Sequence, residues 1–142
     1  MILNTNSEQE TIEAARDFAI TLRPRDIVLL RGDLGAGKSV FSRSIIRTLV
    51  GDECLDVPSP TFTLVQTYDT PNGEIYHFDL YRLKSPEELY EIGWEDALSA
   101  GILLIEWPDK LEYLKPKNFI EVDLNIGLTP TSRMITIKRI DK

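Results

Sequence analysis

The segment from Gly32 to Ser39 contains the residue types that bind a phosphate chain. It is Gly-Asp-Leu-Gly-Ala-Gly-Lys-Ser, which fits the pattern G-x-x-x-x-G-K-[ST]. Glycine allows a tight backbone path, so successive N–H groups can point inward at phosphate oxygens. The pattern predicts that Lys38 reaches the β- and γ-phosphates of a nucleotide and that the Ser39 hydroxyl ligates Mg²⁺. The alternative is a glycine-rich turn with an incidental lysine.

A loop of this kind needs an acidic residue for the metal, usually at the end of a neighbouring buried strand. Two residues qualify, because Glu106 ends the aliphatic run GILLIE and Asp79 ends IYHFD. One could hold Mg²⁺ through water while the other positions a water nucleophile. The alternatives are an exposed acid at a strand end for Glu106 and a salt bridge to Arg82 for Asp79.

Further residues near these acids have weaker signals. Thr61 lies in SPTFT, where many hydrolases with a glycine-rich loop carry a switch that senses the γ-phosphate or its Mg²⁺. Ser-Pro-Thr is also a common turn, which is the alternative. We expect a structural role for His77, the only histidine, and packing roles for Trp94 and Trp107.

The elements around the loop place it between a strand and a helix. Ile27–Leu30 is an apolar run typical of a buried parallel strand. Helical periodicity follows it from Val40 to Val50, and Gly51 fits the helix end. Ser7 and Glu10 form the capping-box pattern of an upstream helix. The run GILLIEW predicts a second buried strand.

The second half of the chain is predicted to add a hairpin, a helix and two antiparallel strands. TFTLVQTYD and EIYHFDLYR flank the turn TPNG, and Ser85 with Glu88 forms another capping box. FIEVDLNI and RMITIKRI alternate between apolar and polar residues. These elements predict a single domain over residues 1–142, an α/β sandwich. We expect three layers of the P-loop NTPase type, with flanking helices around a mixed, mostly parallel sheet and a β-hairpin.

Composition and charge argue against several other classes of protein. The chain has 142 residues, which fits one core. Its single cysteine, Cys54, allows no internal disulfide, which favours a reducing compartment. Aliphatic runs are too short to span a bilayer and no signal peptide is evident, so we expect a cytoplasmic protein without membrane contact. The net charge is −7 with no evident basic face, which argues against strong direct binding of RNA or DNA.

The motifs together resemble the TsaE family of small bacterial P-loop ATPases of tRNA threonylcarbamoyladenosine biosynthesis. GDLGAGKS, SPTFTLVQTY, IYHFDLYRL, EELYEIGWEDAL and ILLIEWPDK occur in the family's order and spacing. The resemblance is strongest over residues 7–110. FDLYRL and IEW are specific to the family, whereas the loop pattern is not. Ser39 stands where threonine is more usual, but it keeps the hydroxyl that Mg²⁺ needs.

The resemblance implies an Mg²⁺-dependent ATPase that assists two partner proteins, TsaB and TsaD. TsaD transfers the threonylcarbamoyl group to adenosine in the tRNA anticodon loop, and ATP hydrolysis resets the complex between cycles. The chain would then meet tRNA only through the complex, and its hydrolysis would be weak without the partners.

The same resemblance implies roles for individual residues. Lys38 would contact phosphate, and Ser39 and Glu106 would hold Mg²⁺. Thr61 and Asp79 would belong to the switch and the hydrolysis machinery, and the segments near Ser7–Thr11 and Arg133 would approach the nucleotide base. The implied nucleotide-binding residues are Ser7, Thr11, Asp33, Leu34, Gly35, Ala36, Gly37, Lys38, Ser39, Val40 and Arg133.

Three other functions share the glycine-rich loop. A small nucleoside or nucleotide kinase usually needs an arginine-bearing lid, and no arginine-rich insert follows Ser39. A GTPase usually carries an N-K-x-D segment, which the sequence lacks. A module that only senses nucleotide would be expected to lose its catalytic acids, whereas Asp79 and Glu106 are both present. The acids therefore favour hydrolysis.

Overall fold

Seven strands and four α-helices form the described part of the chain, which is residues 1–33 and 35–141 of a computed structural model. The strands are β1 (Ile2–Thr5), β2 (Ile27–Arg31), β3 (Val65–Thr70), β4 (Gly73–Asp79), β5 (Ile102–Glu106), β6 (Phe119–Ile126) and β7 (Arg133–Ile140). The helices are α1 (Glu8–Ala19), α2 (Lys38–Val50), α3 (Glu88–Glu91) and α4 (Trp94–Ala100), and a 3₁₀ helix covers Pro108–Leu114.

The strands form one mixed sheet with the order β1-β7-β6-β2-β5-β4-β3. Its centre is parallel, because β2 pairs with both β5 and β6, and β5 also pairs with β4. Its edges are antiparallel, through β1 with β7, β6 with β7 and the β3–β4 hairpin. Every residue of β5 is buried, as expected of a parallel strand that is covered on both faces. The predicted mixed sheet, hairpin and terminal antiparallel strands are confirmed.

Side chains alternate along the central strands and supply two separate apolar cores. On β2, Val28 and Leu30 pack in the core that contains residues of α1 and α2, such as Phe18 and Phe41. Leu29 points the other way, into the core formed with α3, α4 and the 3₁₀ helix. The mixed α/β fold therefore has helices on both faces of its sheet.

The turn between β2 and α2 depends on glycine. Gly32 has a φ of 149°, and a Cβ atom there would lie 2.7 Å from the carbonyl oxygen of Leu124. Gly37, the residue before α2, has a φ of 100°, which L side chains rarely adopt. Gly51 ends α2 in the left-handed conformation, as the sequence predicts. The angles at Gly32 and Gly37 let the chain turn sharply from the end of β2 into α2.

The structure differs from the sequence prediction at two elements. Strand β1 was not predicted, and it completes the sheet edge beside β7. The helix predicted to begin after an N-cap at Ser85 is wrong, because α3 begins at Glu88, has four residues and has no side-chain cap. The Glu88 carboxylate accepts instead from the backbone N–H of Lys84, which holds a turn before the helix.

The upstream helix follows its predicted cap more closely. The Ser7 hydroxyl accepts from the N–H of Glu10, and the Glu10 carboxylate accepts from the N–H of Asn6. In residues 1–33 and 35–141, no helix is both long and apolar enough to cross a membrane.

Candidate active site

Strands β4 and β5 end side by side and carry the two predicted acids to one place. Asp79 and Glu106 are register partners at the ends of these strands, and each is 5% exposed. By strand alternation, both point to the face that packs against α1 and α2, as do Ile75 and Leu104. Glu106 is therefore not an exposed acid at a strand end.

Lys38 begins α2 on the same face and is also buried. Within the described residues its Nζ atom has no hydrogen-bond partner, and it lies 3.5 Å from the centre of the Trp107 ring. Burial lowers the pKa of Lys38, while the carboxylates of Glu106, Asp79 and Asp33 act in the opposite direction. A buried ammonium with free donors, beside acids it does not bond, is suited to hold an added anion.

Asp79 is fixed by two hydrogen bonds from its own neighbourhood. The Thr61 hydroxyl donates to Asp79 Oδ2 at 3.1 Å, and the Tyr81 N–H donates to Oδ1 at 3.0 Å. The suggested salt bridge to Arg82 is not found in the described chain, because the Arg82 guanidinium instead lies 4.3 Å from the Phe62 ring centre. Thr61 therefore contacts Asp79, the acid with which the family resemblance associated it.

Glu106 is held by a residue that sequence analysis placed outside the site. The Oε2 atom of Glu106 lies 2.7 Å from Nε2 of His77, and both side chains are buried. The two residues are on adjacent strands, so the sheet itself brings them together. A structural role was predicted for His77, but its contact with Glu106 was not predicted.

The glycine-rich loop is held from outside by Arg133. Its guanidinium donates to the carbonyl oxygens of Ala36 at 3.0 Å and Gly35 at 3.1 Å, and it also bonds the carbonyls of Pro130 and Ser132. Arg133 therefore fixes the loop backbone. Ser39 is exposed in the first turn of α2, and Leu34 lies outside the described residues.

A small cavity lies beside the start of α2 and joins several predicted nucleotide contacts. Its volume is about 110 Å³. Its lining includes Thr11, Gly37, Val40 and Arg133, which are distant in sequence. Ser7 does not line it and serves as the cap of α1. A second cavity, of about 220 Å³, is lined by Asp33, Lys38 and Trp107, among others.

Trp107 was expected to be a packing residue, and the structure also places its ring against the Lys38 ammonium. It follows Glu106 in the left-handed conformation, with a φ of 58°. Its ring lies under Lys38 and also contacts Tyr81, with ring centres 4.9 Å apart. The sequence signal was its position directly after the candidate acid, in the motif IEW.

The donor set suits Mg²⁺ that is bound together with phosphate. Residues 1–33 and 35–141 contain no group of three or more His, Cys, Asp or Glu side chains arranged to hold a metal. Mg²⁺ typically uses one or two carboxylates together with substrate phosphates and water. Ser39 offers an exposed hydroxyl next to Lys38. Burial lowers the pKa of Lys38, and the Glu106 carboxylate is near enough to oppose that shift. These residues fit such a site.

The fold and site define a mixed α/β protein whose glycine-rich turn places a buried lysine before two strand-end acids. The family model "Threonylcarbamoyl adenosine biosynthesis protein TsaE" matches residues 5–135. The chain therefore belongs to the TsaE family, as its motifs suggested.

Relatives and a solved structure agree with this assignment. The chain is 51% identical to "tRNA threonylcarbamoyladenosine biosynthesis protein TsaE" of Rickettsia typhi, over 94% of this chain and 92% of the relative. It is 36% identical to the protein of the same name from Aquifex aeolicus, over 73% of this chain and 74% of the relative. The crystal structure of Bacillus subtilus YdiB matches with a TM-score of 0.76 and 26% identity, over 99% of this chain and 85% of the other.

Proposed function

We propose that this protein is a P-loop ATPase, a three-layer sandwich that binds ATP with Mg²⁺ and hydrolyses it. The observation that carries the proposal is the buried Lys38 ammonium, which has no hydrogen-bond partner in the described chain. It lies at the start of α2, directly after the glycine-rich loop, and two buried carboxylates end the neighbouring strands. Phosphate oxygens would satisfy this ammonium and the free N–H groups at the helix start.

Each polar group has a distinct task in the proposed reaction. Backbone N–H groups of the loop bind the phosphate chain, and Lys38 stabilises charge on the β- and γ-phosphates. Ser39 and Glu106 hold Mg²⁺, which when bound neutralises charge on the phosphate oxygens. Asp79, oriented by Thr61 at 3.1 Å, positions the attacking water. We propose that the rest of the nucleotide extends toward the cavity lined by Thr11, Val40 and Arg133.

We infer that hydrolysis serves threonylcarbamoyl transfer to tRNA adenosine, in a cytoplasmic complex with TsaB and TsaD. The family name and the names of the relatives support this pathway. A net charge of −7 agrees with contact to tRNA through the partners alone. The partners would complete the hydrolysis machinery, so the isolated chain would turn over slowly.

The first test is release of phosphate from ATP by the purified protein, alone and with TsaB and TsaD from the same source. We expect slow release alone, clear stimulation by the pair, and a loss of about 10²-fold or more in Lys38→Ala. Lys117→Ala makes the same substitution at an exposed lysine and is the matched control. It should keep wild-type turnover.

The other outcomes separate the competing functions. Equal release with and without the pair would keep the hydrolysis but contradict the pathway assignment. Phosphate transferred to an added nucleoside or nucleotide, instead of released, would indicate a kinase. Inhibition by GTP as strong as by ATP analogues would favour a GTPase. Unchanged turnover in Lys38→Ala would overturn the site itself.

A further inference from the structure

The proposed reaction uses Glu106 but gives no task to His77, the buried residue that contacts it. Their Nε2 and Oε2 atoms are 2.7 Å apart, and the side chains are 3% and 5% exposed. We propose that His77 is a positioning residue, which orients the Glu106 carboxylate toward Mg²⁺. The inference rests on the proposed function, since it assumes that Glu106 binds the metal.

The proposed metal site sets the direction of this hydrogen bond. A carboxylate that binds Mg²⁺ is ionised and can only accept, so in that site the Nε2–H of His77 donates to Oε2 of Glu106. That bond occupies one carboxylate oxygen and restricts rotation of the Glu106 side chain. Oε1 remains as the oxygen that can face the metal. A hydrogen-bond partner of a metal ligand orients that ligand and tunes the affinity of the site for the metal.

The sheet makes the arrangement precise. His77 and Asp79 are two residues apart on β4, so both point to the face where α2 begins. Glu106 on β5 is the register partner of Asp79 on β4. His77 precedes Asp79 by two residues and is the register partner of Leu104. His77 thus contacts Glu106 from within β4. Lys38, at the start of α2, lies on the same face of the sheet.

One further atom sets this pair apart from an ordinary core contact. In the described part of the chain, the buried Nδ1 of His77 has no hydrogen-bond partner. An unpartnered buried ring nitrogen costs free energy that an apolar side chain at this position would avoid. Within residues 1–33 and 35–141, the contact with Glu106 is the polar contact found for the His77 ring.

The test measures Mn²⁺ affinity by electron paramagnetic resonance, on the full chain with a non-hydrolysable ATP analogue. His77→Gln can keep a donor near the Nε2 position, whereas His77→Asn is too short to reach it. We expect the Mn²⁺ dissociation constant to stay near wild type in His77→Gln. In His77→Asn it should rise about tenfold or more. His77→Leu should behave like His77→Asn.

Controls separate positioning from stability and from failure of the proposed function. Tyr68→Phe removes another buried polar atom that has no hydrogen-bond partner in the described chain, and it should leave Mn²⁺ affinity unchanged. Glu106→Ala should weaken Mn²⁺ binding, and adding His77→Asn to it should cause no further loss. Equal affinity in the Gln and Asn variants would overturn the role of His77 alone. Wild-type affinity in Glu106→Ala would instead overturn the metal site.

Discussion

Two groups of ionisable residues have strand members that point to opposite faces of the sheet, on β4 and β5 in the first group and on β2 and β6 in the second. The Lys38 cluster comprises Lys38, His77, Asp79 and Glu106, on the side of α1 and α2. The Arg31 cluster comprises Arg31, Asp109, Glu121 and Asp123, whose strand members point to the other side by alternation. Both place one cation among carboxylates, but they satisfy it differently.

Arg31 forms salt bridges with two carboxylates of its cluster, those of Asp109 and Glu121. Its Nη1 atom lies 2.6 Å from Asp109 Oδ1, and its Nε lies 3.4 Å from Glu121 Oε2. The Lys38 ammonium is more deeply buried, yet it bonds neither acid in the described chain. Partly exposed ion pairs contribute little, up to about 1 kcal/mol, whereas an unpaired buried cation costs free energy. The difference agrees with the proposal that the Lys38 cluster binds a ligand, whereas the Arg31 cluster stabilises the fold.

The largest expected effect comes from removing each cation in turn. Lys38→Met should reduce ATP turnover about 10²-fold or more, because the group that stabilises phosphate charge is lost. The free energy of unfolding should stay equal or rise, since an apolar side chain replaces a desolvated charge. Arg31→Met should lower the free energy of unfolding by about 1 kcal/mol and affect turnover far less. Urea denaturation and phosphate release measure the two quantities.

This pair of variants can also refute the comparison. If Lys38→Met were the more destabilised of the two, Lys38 would be a structural residue and the division between the clusters would fail. Equal losses of turnover would show that both cations serve the reaction.

Much of the Lys38 cluster was predictable from local sequence. The pattern from Gly32 to Ser39 constrains backbone angles over a few residues, and the left-handed Gly37 is as that pattern requires. Glu106 ends a continuous aliphatic run, which is typical of a buried parallel strand and its functional end. Such signals are short-range, so one sequence is enough to find them.

What escaped prediction depends on which strands are neighbours and in which register. His77 meets Glu106 only because β4 and β5 pair in parallel, with Asp79 opposite Glu106. Strand β1 has four residues, and its place is fixed by β7 from the far end of the chain. The Ser85 cap is wrong because the chain forms turns after Ser85 and α3 begins only at Glu88, with no side-chain cap. Pairing between distant strands decided the first two cases, whereas local turns decided the third.

Arg133 tests whether a satisfied cation beside the site behaves like the Arg31 cluster. Its guanidinium bonds four backbone carbonyls, including those of Gly35 and Ala36. Arg133→Met should therefore lower the free energy of unfolding by about 1–2 kcal/mol, because several charge-assisted bonds are lost. It should raise the KM for ATP more than it lowers kcat, since the loop would lose its fixed path. A kcat loss as large as that of Lys38→Met would instead place Arg133 among the residues that act on the reacting phosphate.

The smallest expected effect lies within the Arg31 cluster, where Asp123 is the one acid without an ion pair in the described chain. Burial and then the Glu121 charge raise the pKa of Asp123 above its ordinary value of 3.8, against the opposing charges of Arg31 and Lys138. The folded state thus holds this proton more tightly than the unfolded chain, so ionised Asp123 opposes folding at neutral pH. Asp123→Asn should raise the free energy of unfolding at pH 7 by up to about 0.5 kcal/mol.

The gain should shrink as the pH falls through the pKa of Asp123 in the folded protein, and disappear below about 3.8, where the acid is neutral in both states. Urea denaturation of both proteins between pH 7 and the acid range measures this convergence. A gain that is constant with pH would show that side-chain packing, not charge, separates Asp123 from its paired neighbours.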